Sequence, residues 1–566
     1  MKKFLSFLFF ILISTSIFAQ VDSLLPFNSA WPETYVETNL SKEQLKQVCK
    51  DFSVDKVTPE NGDCYRVRLC IGSKEYGRFL SLGYPFTIVS GSKASVQMAH
   101  TYQQLVSAWD RYPTYSTYLA TMDTFQSKHP DICHIETILE NTAANHKILV
   151  AHISNDLQNR GNKPAFFYTS TMHGDEVTGY YLMLRLIDYL LSNYDSDPQV
   201  QNIVNNVDLW ICPLENPDGT YRNHNDSLNE SPYSTRHNYT DDDLNRSYPI
   251  AGQNNNNTNY PAEVQAMMEF GAQHHFTMSA NLHGGAEVFN YPWDTWESMD
   301  KLHADDSWWN HIGHNFANTC HSQNYWYFQD MYGGVTEGGD WYTITGSRQD
   351  YFTYFQNCRE VTLEVSSDKV VSSRNLYKYW NYTRKALLDY IEESLNGFRG
   401  IVTDTITGLP VEAKVFVNNH DRDNSHVFSL LPDGNYHRPI KGGTYSVTYT
   451  AEGYLPKTVN VTVTDGQCTV QDIKLVPEYM DIAVQEAPAF VIYPNPTHGF
   501  LYVTSMVRPP KQFDFQMFDI HGKIIHQTKV EAGTSTMDIS ELPAGTYAIR
   551  IMDNHQVIYQ TKIVKQ

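Results

Sequence analysis

The strongest constraint on how this chain folds is an alternation, repeated between about residues 99 and 395, of short apolar runs and longer amphipathic segments. The short runs include "HKILVAHI", "AFFYTST", "VDLWICPL", "FTMSANL" and "EVTLEV". Between them lie segments with apolar residues at three- and four-residue spacing, such as "TYSTYLATMDTFQSKH", "TGYYLMLRLIDYLLSNY", "PAEVQAMMEFGAQHH" and "NLYKYWNYTRKALLDYIEESL". Strand and helix in alternation predict an α/β domain with a mixed or largely parallel central sheet flanked by helices. In such sheets ligands collect outside the carboxyl ends of the strands. That rule directs attention to the residues that follow each run.

"AFFYTST" leads straight into His173 and Glu176, three residues apart on a tight turn ahead of a long helix. Among 22 histidines a lone His-x-x-Glu is weak evidence. His311 and His314 in "HIGH", and His274 and His275 in "QHHF", read as surface or packing residues. His173 and Glu176 differ by their setting at a strand mouth. His283 in "SANLHGG" also follows an apolar strand directly, and Glu364 in "EVTLEV" lies near the end of a third. A catalytic zinc typically takes three protein ligands and leaves a fourth position for water. Two histidines, a carboxylate and a spare glutamate at strand ends therefore suit a hydrolytic zinc site.

The rest of the chain sets limits. Its 566 residues imply about three or four domains. A formal net charge of −21 argues against nucleic acid or an anionic membrane surface as partner and tolerates a cationic substrate. Residues 1–19, with two lysines, an apolar run and Ala19, have the layout of a secretory signal peptide. No later stretch is long and apolar enough to span a bilayer. Eight cysteines without a Cys-x-x-Cys pair leave disulfides possible and a cysteine-built zinc cluster unsupported. Residues 20–97 read as a small α/β unit, with a helix at "SKEQLKQVCKDF", strands at "CYRVRLCI" and "RFLSLGYPFTIV", and no reactive constellation. After Asn396 helices give way to short alternating strands with Gly and Pro turns. These form two β-sandwich modules, 397–477 and 488–566, joined by a link at about 479–489.

Taken in order, His173-Gly-Asp-Glu176, "DLNR" (Asp243 to Arg246), "NLHGG" with His283 and "TLEV" with Glu364 resemble the zinc metallocarboxypeptidases of the funnelin type. The resemblance is nearest to their regulatory, basic-residue-preferring subfamily and spans residues 98–395. It implies one Zn2+ ion held by His173, Glu176 and His283, the ligand set for which carboxypeptidase A is a standard example. Asp243 matches the carboxylate that orients a ligating histidine, and Glu364 the general base and acid. Arg236, seven residues before Asp243, matches the guanidinium on the scissile carbonyl. Asn245 and Arg246 match the pair that grips a free C-terminal carboxylate. Tyr342, 22 residues before Glu364, matches the tyrosine that closes over the substrate terminus. Asp294 and Gln349 match the positions that select Lys or Arg, since a buried cation needs a carboxylate partner. Arg348 departs from the pattern; pointing inward, it would oppose a basic side chain.

The resemblance extends to the flanks. Residues 20–97 are placed as a pro-segment-like unit, 397–477 is similar to a transthyretin-like domain, and 488–566, with "YPNPTHG" and "LPAGTYAIRI", resembles a type IX secretion sorting domain. Expected partners are peptide or protein C-termini and the type IX machinery of a Gram-negative bacterium, with a secreted or cell-surface location. Two other readings stay open on sequence alone. One is a zinc hydrolase of cell-wall peptides or acylated amino acids; the other is a surface binding protein with a vestigial enzyme domain, which the intact ligands and base disfavour.

Overall fold

The structure, a computed structural model, describes residues 33–566 apart from 90–93, 223, 229–233, 256–258, 479–489, 507–511, 532 and 554–555. The signal-peptide reading of residues 1–19 and the link at 479–489 lie outside the described residues. The chain divides into two compact units. The first runs through residue 403 and includes 410–452 and 456–475; the second comprises 404–409, 453–455 and 476–566.

The first unit is organised by an eight-stranded sheet. Its order is Val335–Glu337, Ala286–Tyr291, Arg359–Ser366, Met278–His283, Ala165–Ser170, Asp208–Cys212, Ile148–Ile153, Cys133–Leu139. The four strands from Arg359–Ser366 to Asp208–Cys212 are mutually parallel, and antiparallel pairings flank them on both sides. The expected mixed sheet is what forms. Every residue of Ile148–Ile153, Ala165–Ser170 and Met278–His283 is buried, which explains their near-continuous apolar runs. Helix Thr178–Asn193 covers one face with eleven buried residues, and helix Leu376–Glu393 packs beside it. Helix Ala262–His274 closes the other face through Val264, Met267 and Phe270.

Ahead of this domain a four-stranded antiparallel sheet is ordered Ser53–Pro59, Cys64–Gly72, Glu33–Ser41, Thr87–Val89. Helix Lys42–Asp51 packs on it through Leu45, Val48 and Cys49, and opens with a capping box. There Ser41 Oγ accepts from the Gln44 N–H at 3.3 Å, and Gln44 Oε1 accepts from the Ser41 N–H at 2.8 Å. The strand expected at "RFLSLGYPFTIV" is a correction: Tyr76–Ser81 is helical and only Thr87–Val89 is strand. Phe79 explains the difference. Its ring packs edge-on against Phe52 and Phe86, one anchor that a single helical turn satisfies, and Gly83 at φ +69° ends the turn.

Beyond Asn396 both modules are all-β. In the first, Gly397–Asp404 pairs antiparallel with Asn435–Arg438, while Val427–Phe428, Lys414–Val417, Gly443–Thr450 and Lys457–Val463 form a second sheet. Arg438 is buried and grips Asp305 with two bonds of 2.9 Å; Arg359 reaches the same carboxylate at 3.0 Å. The start of the Glu364 strand is thereby tied to the sandwich. The second unit holds a three-stranded and a four-stranded sheet around Phe490, Val503, Phe515, Ile549 and Ile563. All eight cysteines are free thiols, so the open possibility of disulfides is not realised.

Candidate active site

Three neighbouring parallel strands deliver the reactive residues to one place. His283, the last residue of its strand, is paired in register with Glu364 on the adjacent strand. On the other side, the chain leaving Ser170 turns at Thr171, a β-branched residue at φ +61°. Such a conformation costs roughly 1–3 kcal/mol and needs support. The Thr171 hydroxyl donates to the Glu176 carbonyl at 3.0 Å and its N–H to the Leu282 carbonyl at 3.3 Å. The turn swings His173 and Glu176 over the sheet end. Gly174 within it is obligatory, because a Cβ there would lie 2.4 Å from the Gly219 backbone.

His173, Glu176 and His283 converge, all buried, with their ligand atoms within 4.8 Å of one another. His173 Nδ1 lies 3.0 Å from Glu176 Oε1, and His283 Nδ1 lies 2.9 Å from Glu176 Oε2. The other nitrogen of His173, Nε2, is 3.2 Å from Asp243 Oδ1, which leaves Nδ1 as the inward lone pair. Burial pushes His283 down to about 4, so its imidazole is neutral and able to ligate. Burial works to raise Glu176, but His173 and Lys369 outweigh it and hold the carboxyl well below its usual range. Two convergent imidazoles and an ionised carboxylate fit a zinc-type ion. Glu364 is the opposite case. Burial, reinforced by the charge of Glu176, raises its carboxyl well above the ordinary value, and its Oε2 has no hydrogen-bond partner among the described residues.

The remaining expected residues lie around this centre. Arg236 donates from Nε to Asp243 Oδ2 at 3.0 Å, and its Nη1 is 3.5 Å from Glu176. Asn245 and Arg246 follow on a short 3-10 turn whose N-cap is Asp243. Arg246 spends only Nη1, on the Asn245 carbonyl; its Nε and Nη2 have no partner among the described residues. Tyr342, Asp294 and Glu364 line the same cleft. Asp294 Oδ1 accepts from Gln349 Nε2 at 3.1 Å and Asn290 Nδ2 at 3.3 Å. Gln349 thus supports Asp294 and does not line the cleft. Burial raises the Asp294 carboxyl. Arg348 does not point inward. It is buried against Phe352 and Phe167, with Nη1 on Glu360 at 2.8 Å and on Thr169 at 2.7 Å, so it offers no charge against a basic side chain.

Strand Ser53–Pro59 of the N-terminal sheet enters this cleft. Val54 and Asp55 join its lining, and the space left is a cavity of about 40 Å3. Ser53 donates to Asp243 Oδ2 at 2.5 Å. Asp55 pairs with Lys369 at 2.5 Å, and the same ammonium reaches Asp175 at 3.1 Å and Glu176 at 3.4 Å. Tyr35 donates to Asp175 as well.

Residues 118–386 match the zinc carboxypeptidase family, 397–476 a carboxypeptidase regulatory-like domain, and 491–566 a secretion system C-terminal sorting domain. Carboxypeptidase M of Mus musculus is 31% identical over 361 residues, covering 62% of this chain and 80% of that protein. The chain belongs to the zinc carboxypeptidase family. Carboxypeptidase D of Rattus norvegicus is 31% identical over 355 residues, 60% of this chain, which spans only 25% of that longer protein. The crystal structure of carboxypeptidase A from Helicoverpa armigera superimposes with a TM-score of 0.48 at 15% identity, over 64% of this chain and 97% of that one.

In this zinc carboxypeptidase-family chain the sequence reading passed over Ser53, Asp55, Asp175, Lys369 and Asn290. Asp175 sits inside the His173–Glu176 turn and was open to notice. Ser53 and Asp55 carried no signal, because only a long-range docking gives an ordinary strand its place in the cleft. No helix among the described residues is long and apolar enough to cross a membrane.

Proposed function

We propose that this chain is an exported metallocarboxypeptidase that removes single residues, Lys or Arg by preference, from peptide C-termini. The observation that carries the reading is Arg246: a guanidinium whose Nε and Nη2 have no partner among the described residues, beside the His173–Glu176–His283 trio and ready for a terminal carboxylate. Zinc held by the trio would supply Lewis acidity toward water and the scissile carbonyl. Arg236, fixed by Asp243, meets charge developing on that carbonyl oxygen. Glu364, kept basic by burial, takes a proton from water and returns it to the departing amine. Asp294 supports the preference for a cation at the pocket base.

Arg246→Ala is expected to raise KM for free-carboxylate peptides roughly 10²-fold, the effect of losing a bidentate charged contact. The already slow cleavage of C-terminally amidated analogues is expected to change little. Steady-state kinetics on the paired substrates decides, and equal losses on both would remove the exopeptidase reading.

Asp294→Asn is expected to cut kcat/KM for Lys- and Arg-terminated peptides roughly 10²-fold while sparing those ending in Leu or Phe. The same carboxylate gives a pH dependence. Its raised pKa means that protonation begins at a higher pH than for an ordinary aspartate, and Asp350 behind it is pushed up to about 7 by burial and by Asp294. As pH falls through the raised pKa of Asp294, KM for an Arg-terminated substrate is expected to rise while KM for a Leu-terminated one stays level. Parallel profiles would contradict the role.

The N-terminal unit is assigned as a pro-segment, supported by Val54 and Asp55 in the cleft. The sorting-domain match over 491–566 supports type IX export from a Gram-negative cell.

A further inference from the structure

We infer that Glu33, Cys70 and His237 form a second cation site, for a thiophilic divalent ion of the zinc class, at the seam between the N-terminal sheet and the catalytic domain. Three separate segments supply the donors. Glu33 opens strand Glu33–Ser41, Cys70 lies on the adjacent strand, and His237 follows Arg236. The register pairs Tyr35 with Cys70, so the two-residue period of the strand puts Glu33 and Cys70 on one face. All three residues are buried, with their ligand atoms within 4.8 Å of one another.

The contacts have the form of those in the catalytic trio. Glu33 Oε2 lies 2.7 Å from His237 Nδ1, and Cys70 Sγ lies 3.9 Å from the same nitrogen. In the trio, the Nδ1–carboxylate contacts are 3.0 and 2.9 Å. A short imidazole–carboxylate contact is thus compatible with a metal site in this molecule. A thiolate and a carboxylate around a divalent ion sum to zero charge, which suits a buried position. The Cys70 thiol is unpaired in any disulfide, and burial pushes it well above its usual range, so an ion is what would deprotonate it.

The surroundings are arranged as a metal histidine requires. His237 Nε2 is 3.4 Å from Ser53 Oγ, whose own proton goes to Asp243 at 2.5 Å, so Nε2–H donates there; Nδ1–H donates to Glu33 at 2.7 Å, and an ion would take the place of that proton. Glu33 is oriented by the N–H groups of Arg236 and His237, at 2.8 and 3.2 Å. The chain His237–Ser53–Asp243–His173 then links this seam to the catalytic trio. An ion here fastens strand Ser53–Pro59, and with it Val54 and Asp55, into the cleft.

The test is made on the full-length protein purified without chelator. Elemental analysis is expected to find two zinc ions per chain, falling to one in Cys70→Ser. With cobalt substituted for zinc, a near-ultraviolet thiolate-to-cobalt charge-transfer band is expected, because the catalytic trio contains no sulfur. Cys70→Ser should lose that band and keep the visible cobalt bands of the trio. If Cys70→Ser does not fold, the wild-type stoichiometry and band still decide. One ion per chain with no charge-transfer band in folded, trio-loaded protein overturns the site, as does a band that survives Cys70→Ser. Neither readout depends on peptide hydrolysis, so failure here is separable from failure of the proposed activity.

Discussion

Glu364→Gln is expected to lower kcat roughly 10³-fold while leaving metal content and KM close to those of the parent chain. The carboxamide keeps the shape of the side chain, so the register of its strand with the His283 strand should survive. What disappears is a basic oxygen. Glu364 is buried, its Oε2 has no hydrogen-bond partner among the described residues, and the charge of Glu176 raises its proton affinity further. It is not a member of the ligand trio, so its loss does not remove a donor from the ion. Elemental analysis alongside single-turnover kinetics checks this. Turnover within tenfold of the parent would show that another group moves the proton.

Separating the N-terminal unit from the domain that starts near Met98 is expected to raise peptide turnover roughly 10²-fold, the scale on which a minor open state limits activity. A cavity of about 40 Å3 has room for only a few waters, each needing roughly 10–15 Å3, whereas ligand sites run to roughly 300 Å3 and above. A peptide terminus therefore cannot enter while Val54 and Asp55 are seated. The hold is electrostatic as much as steric. Lys369 pairs with Asp55 and Asp175 together, and Lys46 reaches Glu297 on the domain. Asp55→Ala leaves Lys369 with only the domain's own Asp175 and Glu176 and is expected to give a smaller activation. Peptide assays before and after limited proteolysis provide the comparison; an unchanged rate would make the unit a structural companion.

The central domain was legible because its strands are buried on both faces and its helices on one. "AFFYTST" and "FTMSANL" could not satisfy their apolar runs in any exposed setting, and both became interior strands. His173, Glu176, His283 and Glu364 were brought together because strand-end positions converge in a parallel arrangement. Glu360, Thr362 and Glu364 alternate along one strand and share a face, a pattern visible in "REVTLEVS". That face also explains Arg348, which turns to Glu360 and away from the cleft. Other features had no local signature. "RFLSLGYPFTIV" offered equal material for helix and strand until Phe79 found Phe52 and Phe86. Lys369 acquires meaning only from carboxylates distant in sequence: Asp175, Glu176 and, more than three hundred residues away, Asp55.

The most direct test is hydrolysis of a peptide series differing only in the last residue, with amidated counterparts, using chain freed of its N-terminal unit. Release of terminal Lys or Arg, abolished by a chelator, restored by zinc and absent from the amides, is the predicted result. Chelator-resistant cleavage, or equal turnover of acid and amide, would contradict the assignment of the His173–Glu176–His283 cleft as a carboxypeptidase site.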